Sequence, residues 1–120
     1  MTGVQTCALP ISYKVSTIDF MDMDKLNDFL EEQSIKFPYS DIFEHSEPFE
    51  LKEHFHTDYE SRFIITGNPT FIINGEEIQL TKGMYIELKP NILHSFKSNG
   101  PVKALRFFKT PEGWQDNYND

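Results

Sequence analysis

Three of the four histidines, with one carboxylate, fall at spacings that could hold a metal ion. In His54-Phe55-His56 the imidazoles are one residue apart, and on a strand positions i and i+2 point to the same face. A turn over Thr57, Asp58 and Tyr59 would let the following strand bring Glu60 alongside them. His94 opens a later strand and shares its face with Phe96. Three neutral nitrogens and a carboxylate suit Fe, Ni, Mn, Cu or Zn. An octahedral ion held by those four groups keeps two positions open, which an oxygen-chelating substrate can occupy. A lone His-x-His is commonly just a pair of exposed polar positions. The weight therefore rests on the longer pattern, His54-x-His56-x3-Glu60-x6-Gly67 followed by Gly83-x10-His94.

Parity nominates two further side chains. Arg62 lies two residues after Glu60 and shares its face, and Arg106 shares a face with Ala104 and Phe108. Inside a cavity either guanidinium needs an anionic ligand or a carboxylate partner. Outside it, either would lay its stem along the surface and reach for water. Parity leaves both choices open. His45 sits in a polar stretch and is given no role.

Placing these groups together takes short strands that converge on one end of a small domain. The chain has 120 residues, enough for one domain and one core. Eleven Phe and five Tyr favour a β-rich core, since aromatic side chains fit a pleated, half-buried surface. Tyr13 to Phe20 reads as a short edge strand, and Asp22 to Ser34 as a helix with Asp22 or Asp24 as cap and Leu26, Phe29 and Leu30 as its apolar stripe. Phe37 to Asp41 reads as a breaker, and the polar stretch onward to Pro48 as loop.

From Phe49 the pattern changes to short strands. They are expected at Phe49 to His56, Ser61 to Thr66, Thr70 to Ile73, Glu76 to Leu80, Met84 to Leu88, Leu93 to Lys97 and Val102 to Lys109. Asn74-Gly75 is the strongest hairpin signal, because both residues tolerate positive φ. Strands without intervening helices imply an antiparallel sandwich or small barrel. The reading is one domain, with residues 12–48 forming an N-terminal strand, helix and loop, and 49–120 the barrel.

A net charge of −8 argues against nucleic acid and anionic membrane as partners. Residues 1–11, MTGVQTCALPI, are similar to the translation of a common sequencing-library adapter and are set aside as a non-native segment. Cys7, the one cysteine, falls inside it, so a disulfide scaffold and a thiol nucleophile are not expected. With no basic n-region before the apolar stretch, a cytoplasmic location is the expectation.

The His54 to Gly67 and Gly83 to His94 patterns resemble the two motifs of the cupin superfamily, with the expected residue at every fixed position of the first. In the second, cupins usually place proline and glycine where Lys89 and Asn91 stand here, and Pro90 is displaced by one. Asn91 can replace glycine in a left-handed conformation at modest cost. The implied fold is a mainly β, cupin-type antiparallel barrel (double-stranded β-helix) with one N-terminal helix.

Within that superfamily, Glu53 to Tyr118 resembles acireductone dioxygenase. The stretches that carry the resemblance are EHFHTDYESRFIITG, LHSF and ALRFFKTPEGW; the Pro111 to Trp114 run is the most specific, since generic cupins lack it. Two departures stand out. Only Pro38 to Pro48 replaces the family's longer, helix-bearing segment, and its aromatic four residues before the first histidine is Glu50 here, with Phe49 one place off. The resemblance implies a metal, Fe(2+) or Ni(2+), held by His54, His56, Glu60 and His94. It implies catalytic roles for Glu53, Arg62 and Arg106, and substrate contacts from Arg62, Phe96, Arg106 and Trp114. The implied reaction is oxidation of an enediol ketone by O2 in methionine salvage. Iron would give formate and a keto-acid, and nickel formate, carbon monoxide and a shorter acid. The implied partners are that small molecule and O2, with the chain a monomer or homodimer. Two other readings stay open: another small cupin metalloenzyme, or a non-catalytic ligand-binding cupin.

Overall fold

The computed structural model describes residues 13–118, so the segment read as non-native lies outside the described residues. The elements, in chain order, are β1 (Tyr13–Thr17), α1 (Met23–Lys36), β2 (Tyr39–His45), β3 (Phe49–His54), β4 (Glu60–Thr66), β5 (Thr70–Ile73), β6 (Glu76–Gln79), β7 (Met84–Leu88), β8 (His94–Ser98) and β9 (Val102–Phe108). All pairings are antiparallel. They make a five-stranded sheet in the order β1-β7-β4-β9-β2 and a four-stranded sheet in the order β3-β8-β5-β6. The mainly β architecture with one helix is the one expected from the residue pattern.

Two apolar layers hold it together. Between the sheets lie Ile64, Phe71, Ile73, Leu80, Ile86, Leu88, Phe96, Val102 and Ala104, all buried. On the other face of the five-stranded sheet, α1 packs Phe29 against Phe63, at 5.0 Å between ring centroids, and against Tyr85 at 4.7 Å. Asp22 caps α1 by accepting from the Lys25 N–H at 3.1 Å. Pro38 forces Phe37 out of the helical region and the helix ends there, with Phe37 itself buried.

This double covering explains β4, which is buried on both faces. Ser61 and Phe63 turn to the helix side, whereas Glu60, Arg62 and Ile64 turn to the space between the sheets. Two ionisable groups therefore occupy the middle of the molecule, where charge is stable only if paired.

One expectation is corrected. Tyr39 to His45, read as breaker and loop, is a seven-residue strand paired along its whole length with β9, from Tyr39↔Phe108 to His45↔Val102. The reason is its place at the sheet edge. Only Phe43 is half-buried, so β2 carries almost no apolar alternation of its own and is held by a backbone ladder to a distant strand. His45 lies on this strand, exposed, with its ring tilted against that of Phe49 at 4.5 Å between centroids.

The turns follow their chemistry. Asn74 and Gly75 join β5 to β6 with φ of 53° and 80°, the hairpin anticipated from their types. Asn91 has φ 65°, as expected for a residue standing in for glycine, and its N–H donates to the His56 carbonyl at 2.7 Å.

Candidate metal centre

The site sits at one end of the space between the two sheets. His54 ends β3 and His94 begins β8, and the two are direct partners across that ladder. A register shift between Leu51 and His54 re-aims the end of β3. His56 follows two residues beyond His54, past the end of the strand. Glu60 begins β4 in the facing sheet, flanked by Leu88 and Phe108. Each of the four side chains is 3% exposed or less.

The imidazoles are oriented by backbone. Each Nδ1 is within hydrogen-bond distance of a carbonyl: His54 to Lys52 at 2.7 Å, His56 to Gln115 at 2.9 Å and His94 to Ile92 at 2.8 Å. A carbonyl only accepts, so Nδ1 carries the proton and the Nε2 lone pair of each neutral ring is free to bind. The three candidate ligand nitrogens lie within 4.8 Å of one another. Glu60 Oε1 is 3.2 Å from His56 Nε2 and 3.8 Å from His94 Nε2. Among the described residues, His56 Nε2, His94 Nε2 and Glu60 Oε1 are buried without a hydrogen-bond partner. Burying such atoms is costly unless something satisfies them. A divalent cation fits that donor set, and the three histidines form a cluster able to hold one.

Electrostatics prepare the same state. Burial pushes the Glu60 carboxyl upward, but Arg62, His56 and His94 outweigh it and hold the group at about 2, so it is ionised at neutral pH. For His94, burial outweighs the opposing pull of Glu60 and lowers the imidazole to about 4, which keeps it neutral and able to ligate. Arg62 Nη2 donates to Glu60 Oε2, leaving Oε1 to face the histidines. The Arg62 guanidinium is enclosed by the rings of Phe96, Phe43 and Phe71, at 4.6, 5.3 and 5.3 Å.

The other residues nominated from sequence are placed differently from one another. Arg106 is the register partner of Arg62 and faces the same side of the sheet. Its guanidinium is engaged by Asp41 on β2, at 2.8 and 2.6 Å, near the open edge. Phe96 is fully buried beneath Arg62. Glu53 is exposed on β3. Trp114 is 52% exposed, over a surface cleft shared with Asp41, Phe108 and Pro111.

Two participants had no sequence signal. Asp41 lay at the end of a stretch read as a breaker. Asp116 places Oδ1 3.7 Å from His54 Nε2 and 3.8 Å from His56 Nε2. Nothing in its spacing from the histidines announces it, because only the path of the final segment brings it there.

Comparison with known proteins decides the family. The profile of the ARD/ARD' family matches residues 17–116. The chain belongs to the ARD/ARD' family. Its similar relatives include the acireductone dioxygenase of Bacillus velezensis (strain DSM 23117 / BGSC 10A6 / LMG 26770 / FZB42), 38% identical over 58% of this chain and 43% of that protein. Another is the acireductone dioxygenase of Aquifex aeolicus (strain VF5), 36% identical over 57% of this chain and 40% of that protein. The matched region thus spans about two-fifths of the length of these curated relatives.

Among solved structures, an acireductone dioxygenase from Bacillus anthracis, described with a cadmium ion in its active centre, superposes with a TM-score of 0.69 at 24% identity, covering 88% of this chain and 83% of that one. A DUF861 family protein from Thermotoga maritima superposes at 0.60 and 18% identity, covering 80% of this chain and 98% of that one. Both likenesses are of fold. For this ARD/ARD' family member they agree with the cupin-type arrangement of its two sheets.

Proposed function

We propose that this chain is an acireductone dioxygenase-type metalloenzyme, cleaving 1,2-dihydroxy-3-keto-5-methylthiopentene with O2 in methionine salvage, with Fe(2+) or Ni(2+) bound by His54, His56, Glu60 and His94. The observation that carries this reading is the cluster of three buried imidazoles, two of which, His56 and His94, turn unsatisfied Nε2 atoms toward the ionised, otherwise unsatisfied Oε1 of Glu60. Support for the substrate comes from the family membership and from the names of the relatives.

When bound, the metal supplies Lewis acidity toward an oxygen-chelating enediolate. The remaining work falls to the chain. Carbonyls of Lys52, Gln115 and Ile92 hold the three rings in one tautomer and orientation, so little reorganisation accompanies binding. Arg62 is a positioning residue: it holds the far oxygen of Glu60 and turns the near one inward. Arg106 is the cation nearest the open edge, and an anionic substrate would compete with Asp41 for it. Phe96 supports Arg62 from below, and Trp114 beside Phe108 would cover the apolar tail of a substrate entering over the cleft. Glu53, facing solvent, would exchange protons with it.

A second reading, a small cupin metalloenzyme acting on another oxygen-chelating acid, is favoured by one feature. An edge strand, β2, stands where the family carries a longer helix-bearing segment.

The test is oxygen-dependent loss of acireductone by protein reconstituted anaerobically with Fe(II) and, separately, with Ni(II). Turnover above the metal-only background supports the first reading, and the products identify the chemistry of each metal. Tight metal binding without turnover transfers support to the second.

A further inference from the structure

The segment after Trp114 is anchored on both sides of one acidic residue. The backbones of Phe55 and Asn117 exchange both hydrogen bonds, at 2.8 and 2.9 Å, in an isolated antiparallel bridge. The Asn117 side chain adds a third contact to the Phe55 carbonyl at 3.3 Å. On the other side, the Gln115 carbonyl accepts from His56 Nδ1 at 2.9 Å. Asp116 is the residue between these anchors, so its backbone is tied at both neighbours to the His54–His56 segment.

The consequence is a second carboxylate aimed at the imidazoles. Glu60 Oε1 approaches His56 and His94 from the buried side at 3.2 and 3.8 Å. Asp116 Oδ1 approaches His54 and His56 at 3.7 and 3.8 Å, and its side chain is 36% exposed. Asp116 is thus as near to two imidazole nitrogens as Glu60 is to His94, but from solvent. The buried Nε2 atoms of His56 and His94 and the Oε1 of Glu60 lack hydrogen-bond partners among the described residues, which independently marks the point between them as a ligand position. Hard carboxylate oxygens and imidazole nitrogens are compatible donors for first-row divalent ions.

We infer that Asp116 is an additional, displaceable carboxylate ligand that covers one of the positions left open by the three histidines and Glu60. The inference rests on the metal-centre reading above. Its functional meaning is competition: an incoming oxygen chelator must displace Asp116 before it can bind through two atoms. The final segment then acts as a guard on the open side of the site, and the ion is held more tightly between encounters than a four-ligand site would hold it.

The experiment uses the full 120-residue chain and Co(II) as probe metal, with acetohydroxamate as a bidentate oxygen probe. Calorimetric titration gives Co(II) affinity, and the visible absorption of the Co(II) protein reports coordination number. Asp116→Ala is expected to bind Co(II) about tenfold or more weakly. At saturating Co(II), the same variant is expected to bind acetohydroxamate more tightly than wild type, with stronger visible absorption before the probe is added. Asp116→Glu, which keeps the carboxylate, should restore most of the metal affinity. Unchanged Co(II) affinity in Asp116→Ala overturns the inference. So does a parallel fall in both affinities, which would mean that the residue merely anchors the segment. Failure of the wild-type chain to bind Co(II) overturns the metal-centre reading itself, and is distinguished because no variant is needed to see it.

Discussion

Glu60 and Arg62 are two charges in the most buried strand of the molecule, and each is tolerable only because of the other. Arg62→Ala would leave the buried Glu60 carboxylate without its guanidinium partner and a gap among Phe43, Phe71 and Phe96, which enclose that guanidinium. The expected loss is about 3–5 kcal/mol, read from urea denaturation of the metal-free protein. Arg62→Lys should recover only part of it, since an ammonium lacks the planar fork that pairs with the carboxylate. The histidines behave differently, because their buried nitrogens contribute binding rather than an ion pair. His94→Ala is expected to abolish stoichiometric metal by elemental analysis. Arg106→Ala should retain the metal and lose turnover of acireductone, because its guanidinium lies at the edge, paired with the half-exposed Asp41. Retained metal in a His54→Ala/His94→Ala double variant would refute the site.

Among the elements, the ends of strands decide function and the turns decide whether those ends meet. Gly67 closes β4 with φ 98°, and a Cβ there would collide with the Pro101 carbonyl oxygen. That neighbour is backbone and cannot rotate away. Gly67→Ala should therefore cost about 1–3 kcal/mol from strain alone, with more from the clash, visible as a lowered thermal midpoint. Motif spacing already pointed to this glycine. β2 is the contrasting case. Six of its seven residues are exposed, the apolar Ile42 among them, so Tyr39 to His45 shows no apolar-in, polar-out alternation that could distinguish an edge strand from a loop. Its identity is a property of β9, which offers it a free ladder. With it goes the Asp41–Arg106 pair, invisible until the two strands are set side by side.

At the scale of the whole molecule, the metal would be part of the fold's stability as well as of its chemistry. The proposed ligands come from β3, β4, β8 and the segment after β3, so an ion there would tie the two sheets together at one end. A ligand that binds only the folded chain at 100 times its Kd adds about 2.7 kcal/mol. For a domain of this size that corresponds to roughly 10 °C in thermal midpoint. Adding Ni(II) or Co(II) to metal-free protein should produce such a rise by differential scanning calorimetry, and a chelator should reverse it. An unchanged midpoint at saturating metal would show that no ion joins the sheets.

What residue order settled by itself was local or periodic. The i, i+2 relation of His54 and His56, the fixed distances to Glu60, Gly67, Gly83 and His94, the Asn74-Gly75 hairpin and the capped helix all depend on short-range geometry that spacing encodes directly. From those spacings the cupin-type fold and a metal-binding pattern were legible, as was the family likeness. What tertiary structure alone decided was every relation between segments far apart in the chain. It locked Arg62 onto Glu60 among three phenylalanines, tied Arg106 to Asp41, left Glu53 and Trp114 toward solvent, and carried Asp116 to the mouth of the site. The physical reason is that side-chain parity gives a face but not its neighbours. Neighbours are set by which strands pair and where the chain returns, and those are collective outcomes of burying one apolar core.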